Sequence, residues 1–443
     1  MNFKEEGLGK ETVMKEQIEQ ADKPSFAALE KNVSRTLALG FFQVLMVVIP
    51  VAVPFFQSKG LSMQEVFSLQ ALFGFVVLIT EVPSGYVADV IGRRNTLVVG
   101  ALFAGLGHTC LLGAEGFWSL ALFEALLGIS HSLVSGADLA LLYDSELALG
   151  RPEEEQRQVV GRLYSMRGFS EALAGVVCSA VLLVWGFTEL IWVQVAVGWI
   201  PLLLSLRLVE PPGIRLPSHD HVGNMQRILG YLWNHSLVLR LVFLALSIWC
   251  LTTFYAVWLL QKLWEVQGIE LAHFGWLWAG LTLITALAGR WAHRVEMALG
   301  TRNLLWLIGV LPAVGYLGLE LTGVIGGLLA ATTFFVARGL GMVVLRDALN
   351  QRIPGEFRAT ANSLASFGFR SAFVATGSLV GYVHDFWGMS TTLWLLVAVS
   401  LSIFVGLILP LVAAVQAQQQ QAPDTLDECC AGIDQLSNRR EVQ

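Results

Sequence analysis

Apolar and polar positions alternate along this chain on the scale of whole membrane-length helices. A helix needs about 20 apolar residues to cross the hydrocarbon core of a bilayer. Runs of that kind recur at 36–57, 64–88, 95–114, 118–143, 161–185 and 188–208. A second series follows at 237–264, 271–293, 302–320, 322–347, 359–384 and 389–415. The pattern predicts an all-α integral membrane protein with twelve transmembrane helices in two sets of six. The division is a lead-in over 1–35, a first bundle over 36–208, a polar linker over 209–236, a second bundle over 237–415 and a tail over 416–443. The lead-in is polar and of mixed charge, so no secretory leader is expected. Phe26, Leu29 and Val33 stand at helical spacing beside Lys31 and Arg35 there, the pattern of a surface-lying amphipathic helix. The tail opens on a Gln-rich run and is expected to be disordered.

Composition agrees. Charged residues make up 14% of the 443 residues and hydrophobic residues 55%, against about 25% charged in soluble domains. The expected surroundings are therefore a lipid bilayer, not a nucleic acid. The net charge of −6 decides little, because orientation follows Lys and Arg. Outside the apolar runs, Arg falls in the lead-in, the even-numbered links and the tail. Lys59 and Lys262 are the exceptions, each after the first helix of its set. Both termini are expected on the cytoplasmic side of a cell membrane. Of five cysteines, Cys110, Cys178 and Cys250 lie in apolar runs as small hydrophobes. Cys429 and Cys430 form a vicinal pair in the tail, on the reducing side. Without a neighbouring His the pair is weak support for a metal, and no cofactor is expected.

The two sets echo each other, as a parallel repeat requires. Gln57, Gly60 and Leu61 leading into Val66-Phe67 are matched by Gln261, Gly268 and Ile269 leading into His273-Phe274. Gly136 with Asp144 is matched by Gly339 with Asp347, and Gly168-Phe169 by Gly368-Phe369. The link Gly85-Tyr-Val-Ala-Asp89-Val-Ile-Gly92-Arg93-Arg94-Asn-Thr-Leu97 joins the second and third runs. Its second copy reads as degraded and lengthened, with Gly289, Arg290, Arg294, Gly300 and Arg302 kept and His293 in place of the Asp.

That link, G-x-x-x-D-x-x-G-R-R-x-x-L, resembles the loop between the second and third helices of the major facilitator superfamily. The resemblance implies two six-helix bundles related by a pseudo-two-fold axis around a central cavity, and alternating access. It assigns Gly85, Asp89, Gly92, Arg93 and Arg94 to a cytoplasmic gate. Gly85 is expected to admit a neighbouring helix and Gly92 to permit a tight reversal. Asp144, Arg162, Arg346 and Asp347 lie near the same face, with Tyr143 and Arg358. They read as partners in a latch between the two sets, or as a solvated interfacial charge cluster.

Ionisable side chains inside membrane segments are costly and point to function unless they pair. Glu124, His131 and Glu171 are candidates for a proton pathway, since a buried Glu or any His can exchange a proton near neutrality. Glu171 and Arg167, one turn apart, could instead neutralise each other. Arg338 and Arg370 would favour an anionic or carbonyl-rich substrate, or else pack on helix carbonyls. Trp249 and Tyr255 either line a cavity or fill the core. Asp138 and Arg167 stand at similar depth and read as a structural pair.

Two family patterns are missing. Drug–proton antiporters of the superfamily carry Gly-Pro on the fifth helix, where this chain has no proline. They carry Arg one turn before a Gly on the fourth, where this chain has Glu124 before Gly128. The subfamily stays open. The expected function is secondary active transport of a small solute by a monomer. Proton coupling and export of a metabolite, siderophore or drug-like compound are favoured. Uptake of a small anionic nutrient is the alternative, and a transport-inactive receptor or scaffold the reading from another class. No enzyme is expected: no metal-protease or nucleophile-elbow motif occurs.

Overall fold

The structure is a computed structural model that describes residues 24–212, 229–354, 357–418 and 420, apart from the side chains of Val82, Tyr86, Asp89 and Ala359. Most of the linker, the far tail and Cys429-Cys430 lie outside the described residues.

Helix is the only regular structure among the described residues. In the first half the helices are α1 (Phe26–Val44), α2 (Ala52–Ser58), α3 (Met63–Ile91), α4 (Arg93–Cys110), α5 (Gly116–Val134), α6 (Ala137–Ala148), α7 (Glu153–Leu182), α8 (Phe187–Gly198) and α9 (Ile200–Ser205). In the second they are α10 (Leu237–Leu244), α11 (Cys250–Val266), α12 (Leu271–Leu321), α13 (Val324–Gln351) and α14 (Arg358–Ile403). Ten helical stretches among the described residues are long and apolar enough to cross a membrane. Two of them, of 51 and 59 residues, exceed twice the length a single crossing needs. Each is interrupted by a glycine at positive φ: Gly300 (φ 76°) and Gly388 (φ 80°).

Other breaks have local causes. Pro201 opens α9 directly after α8, at a first-turn position where the missing N–H costs nothing. Between α10 and α11, Ala245–Trp249 form a π-helical turn. One extra residue there rotates everything that follows, and such turns gather at functional sites.

By internal contacts the chain divides into two compact units. One holds the described residues of Met1–Gly60, Leu72–Pro217 and Leu271–Ala279. The other holds those of Leu61–Ala71, Ser218–Glu270 and Gly280–Gln443. The first unit is cored by Leu29, Leu142 and Leu163, and by Leu39, Leu97 and Leu141. The second has one large cluster running through Leu239, Trp249, Ile308, Leu345 and Ile408.

The internal repeat is closer at the link than the sequence reading held. Helix α3 has 29 residues and ends at Ile91 before Gly92; the first arm of α12 has the same length and ends at Leu299 before Gly300. Gly92 (φ 91°, ψ 155°) and Gly300 (φ 76°, ψ 151°) share a conformation that only glycine adopts without strain. After each, an asparagine closes the break: Asn95 Nδ2 donates to Ile91 O and Asn303 Nδ2 to Leu299 O, both at 2.9 Å. An arginine then grips the end of its own half. Arg94 Nε donates to Leu208 O at 2.7 Å, and Arg302 Nε donates to the Gln416 side-chain oxygen at 3.0 Å. All these positions match at one constant spacing. The expectation of a lengthened second link with His293 at the Asp position is therefore corrected. His293 corresponds to Gly85, and Met297 stands where the first copy has Asp89.

Candidate functional site

The gate motif lies at the end of α3 and the start of α4. Gly92 ends α3, and the first amides of α4 are left without helical acceptors. Glu210 supplies them: its two carboxylate oxygens accept from Arg93 N and Arg94 N, each at 2.8 Å. A carboxylate at a helix N-terminus also meets the positive end of the helix dipole. The segment carrying Glu210 is pinned from α1 as well. Buried Asn32 donates to Val209 O at 2.7 Å and accepts from Val209 N at 2.9 Å, and Arg35 donates to Arg207 O. The sequence analysis missed Asn32 and Glu210. The available signal was a polar residue on an otherwise apolar helix stripe.

Arg93 pairs with Asp144 of α6 and donates to Ala140 O at 2.8 Å. This pair ties two helices of the first unit together, whereas the sequence reading placed both residues in a latch between the two sets. Arg162 lies exposed on α7 with no ion pair among the described residues. Gly85 also differs from expectation. No atom lies within 4 Å of where its Cβ would be, among the described residues, so nothing there needs glycine for close approach.

Asp138 and Arg167 are brought together. Gly136 breaks the helix, so α6 starts beside Asp138, whose Oδ1 accepts from Leu139 N at 2.6 Å. Its Oδ2 takes Arg167 Nη2 of α7. The Asp138 side chain is 1% exposed and that of Arg167 25%. Arg167 is thus spent on Asp138, and Glu171 makes no ion pair among the described residues. Glu124 is buried on α5, 4% exposed. His131, two turns on, is exposed with its ring edge on Phe73, centroids 5.8 Å apart.

In the second unit, Arg338 and Arg346 of α13 line one cavity of about 130 Å³ with Trp249 and Phe254, Asn362 and Phe369. Arg346 therefore belongs with the pathway candidates. The α13 backbone is placed by two glycines flanking the position after Arg338. A Cβ on Gly339 would strike Thr285 O and Ala288 of α12, and one on Gly341 would overlap the Trp249 ring. Tyr255 is buried beside this region; its hydroxyl bonds Thr376 at 2.5 Å. Arg370 follows Phe369 on α14, half-buried. Asp347 accepts from Gln351 at 2.7 Å and faces a second cavity of about 660 Å³ with His293, Glu296, Thr301 and Arg352. Burial there holds the Arg352 guanidinium below its ordinary pKa, opposed by Asp347. Among the described residues no group of three or more His, Cys, Asp or Glu could hold a metal.

Comparison with known proteins bears on this architecture. The family model of the Major Facilitator Superfamily matches residues 35–351. The chain belongs to that superfamily. Solved structures share its fold. They include the nucleoside transporter NupG (TM-score 0.66, 11% identity, 87% of this chain and 99% of that one) and a D-xylose–proton symporter (TM-score 0.65, 16% identity, 86% and 97%). A peptide transporter, POT, in complex with sulfate has a TM-score of 0.63 at 14% identity, covering 87% and 95%. At these identities the likeness speaks for the fold alone. A search of curated proteins returned no match. The family is one of membrane transporters, so a bilayer and a small solute are its working surroundings.

Proposed function

We propose that this superfamily member is a monomeric secondary active transporter that carries a small solute across the cell membrane by alternating access, driven by protons. Twelve crossings follow if the two double-length helices each cross twice, turning at Gly300 and Gly388. An even number of crossings and the placement of Arg support both termini on the cytoplasmic side. The observation that carries the reading is the cavity at Arg338 and Arg346. A guanidinium such as Arg338, set within a membrane-length helix, is expensive unless water or a charged solute reaches it.

Glu124, His131 and Glu171 are the proposed proton carriers. They are titratable groups carried on α5 and α7 within the membrane-length runs of the first unit. The gate motif, with Arg93 on Asp144 and Glu210 on the α4 N-terminus, is proposed to keep the cytoplasmic ends of α3, α4 and α6 moving as one body. Export is the favoured direction, with anionic uptake as the second reading. The test is flux into and out of proteoliposomes against a solute panel, with and without an imposed pH gradient. Accumulation that needs the gradient is expected, and triple neutralisation of Glu124, His131 and Glu171 should abolish it. Gradient-independent flux in the unmodified protein would overturn proton coupling.

A further inference from the structure

The cavity at Arg338 and Arg346 has a chemistry more specific than a generic solute path. One part of its wall is cationic: Arg338 and, two turns on, Arg346, roughly 12 Å along α13. Neither makes an ion pair among the described residues, and no carboxylate lines the cavity. The remaining wall is mixed: Trp249, Phe254, Met342 and Phe369 give it an aromatic and apolar side, and Thr253, Asn362 and Ser366 add neutral polar groups. Phe254 and Phe369 meet edge to face, centroids 5.3 Å apart at 87°. Trp249 is 1% exposed, yet its indole N–H has no acceptor among the described residues. A buried donor left unpaired costs about 1–3 kcal/mol. Asn362 is committed differently: its amide hydrogens go to Asn350 Oδ1 at 2.7 Å and Arg358 O at 2.8 Å.

We propose that this cavity binds an organic carboxylate carried on an aromatic or similarly flat apolar body. The guanidinium of Arg338 takes the carboxylate, the Trp249 N–H adds a donor, and the ring packs among Trp249, Phe254 and Phe369. Arg346, exposed, draws the anion toward the cavity by its field. Three observations select this class. Cationic donors without carboxylates disfavour amines and zwitterions, whose ammonium would face two guanidiniums. The aromatic side formed by Trp249, Phe254 and Phe369 favours a flat apolar body over bare inorganic anions, which keep their hydration. A volume of about 130 Å³ is close to the ~150 Å³ that accepts a benzene ring. Arginine suits the task, since its fork binds a carboxylate at two points. The π-turn before Cys250 and the missing side chain at Gly341 put Trp249 where this needs it. The proposal names the substrate class of the transporter reading and rests on that reading for its biological meaning, while binding can be measured without it.

The experiment uses the full chain in nanodiscs and three probes of similar shape: phenylacetate, 2-phenylethanol and 2-phenylethylamine, with inorganic phosphate as a bare anion. Radiolabelled phenylacetate is expected to bind saturably and to be displaced at least tenfold less well by the other three. Arg338→Gln should weaken binding tenfold or more, Arg338→Lys by less, and Trp249→Phe by several-fold. Arg346→Gln should leave the bound state nearly intact but flatten the salt dependence of association. Equal binding of acid, alcohol and amine, no phenylacetate binding, or Arg338→Gln binding as the unmodified protein would each overturn the proposal. The probe comparison needs no variant, so a poorly folding one leaves it falsifiable. In proteoliposomes, phenylacetate binding without flux refutes only the transporter reading. Flux of another solute that phenylacetate does not inhibit refutes only the carboxylate site.

Discussion

The pair Asp138–Arg167 offers a quantitative test of what holds the first unit together. Asp138 is 1% exposed and Arg167 25%, so the two partners face unequal losses. Arg167→Gln strands a carboxylate that cannot reach water, and breaking a buried pair from one side costs about 3–5 kcal/mol. Asp138→Asn strands a guanidinium that keeps a quarter of its surface exposed and lies over the Tyr164 ring, 5.8 Å from its centroid. It also keeps an oxygen for Leu139 N, so its cost should be about 1–3 kcal/mol. With both residues neutral no charge is stranded, and the double variant should be less destabilised than Arg167→Gln alone. Each kcal/mol shifts the unfolding midpoint by about 2–4 °C for a unit of this size. Arg167→Gln should therefore lower the midpoint by about 6–20 °C. The assay is thermal unfolding of the four proteins in nanodiscs at a fixed scan rate, since unfolding here is treated as a rate. Additive shifts, or an Arg167→Gln midpoint within about 1 °C of the unmodified protein, would refute the reasoning.

Other predictions follow from contacts already described. Glu210→Ala removes both acceptors from the start of α4 and should cost about 0.5–2 kcal/mol; hydrogen exchange across 92–96 should quicken, and unchanged exchange would count against the cap. Gly175 of α7 and Gly275 of α12 lie so close that a Cβ on either would overlap the other's carbonyl oxygen, while Ser179 Oγ accepts Trp276 N at 2.9 Å. Gly175→Ala and Gly275→Ala should each slow flux several-fold by forcing these helices apart, and equal flux would show that the contact is unimportant to turnover. Asp385 of α14 caps α3 through Met63 N at 3.1 Å and Gln64 N at 2.7 Å; Asp385→Ala should cost about 1 kcal/mol, read as a lowered unfolding midpoint.

Hydrophobic periodicity carried most of the architecture. The run 64–88 became α3, and 322–347 became α13, because in lipid a backbone must satisfy its hydrogen bonds within the helix. The glycine at the end of the gate motif was legible for a related reason, since Gly92 needs a backbone shape no side chain permits. Pairings were less legible. Arg167 stands one turn from Glu171 in sequence, yet its partner is Asp138, brought to it by the break at Gly136. Arg346 read as a gate residue because it stands near a helix end; its position on the α13 face turns it into a cavity wall. Glu210 and Asp385 lie at run ends where sequence sees only polar punctuation, and each caps a helix far away in the chain.

The linear order of residues determined on its own that this polypeptide belongs in lipid, that its helices come in two matching series, and that its superfamily is that of transporters. These depend on local, periodic properties: transfer free energy summed over a run, and the steric limits of single residues. Which charges neutralise one another, and which are left facing a cavity, only the tertiary structure decided. A π-turn or a broken helix rotates a side chain by a large fraction of a turn, and a missing Cβ lets a neighbour close in. Whether a guanidinium meets a carboxylate or stands open to a solute depends on that rotation.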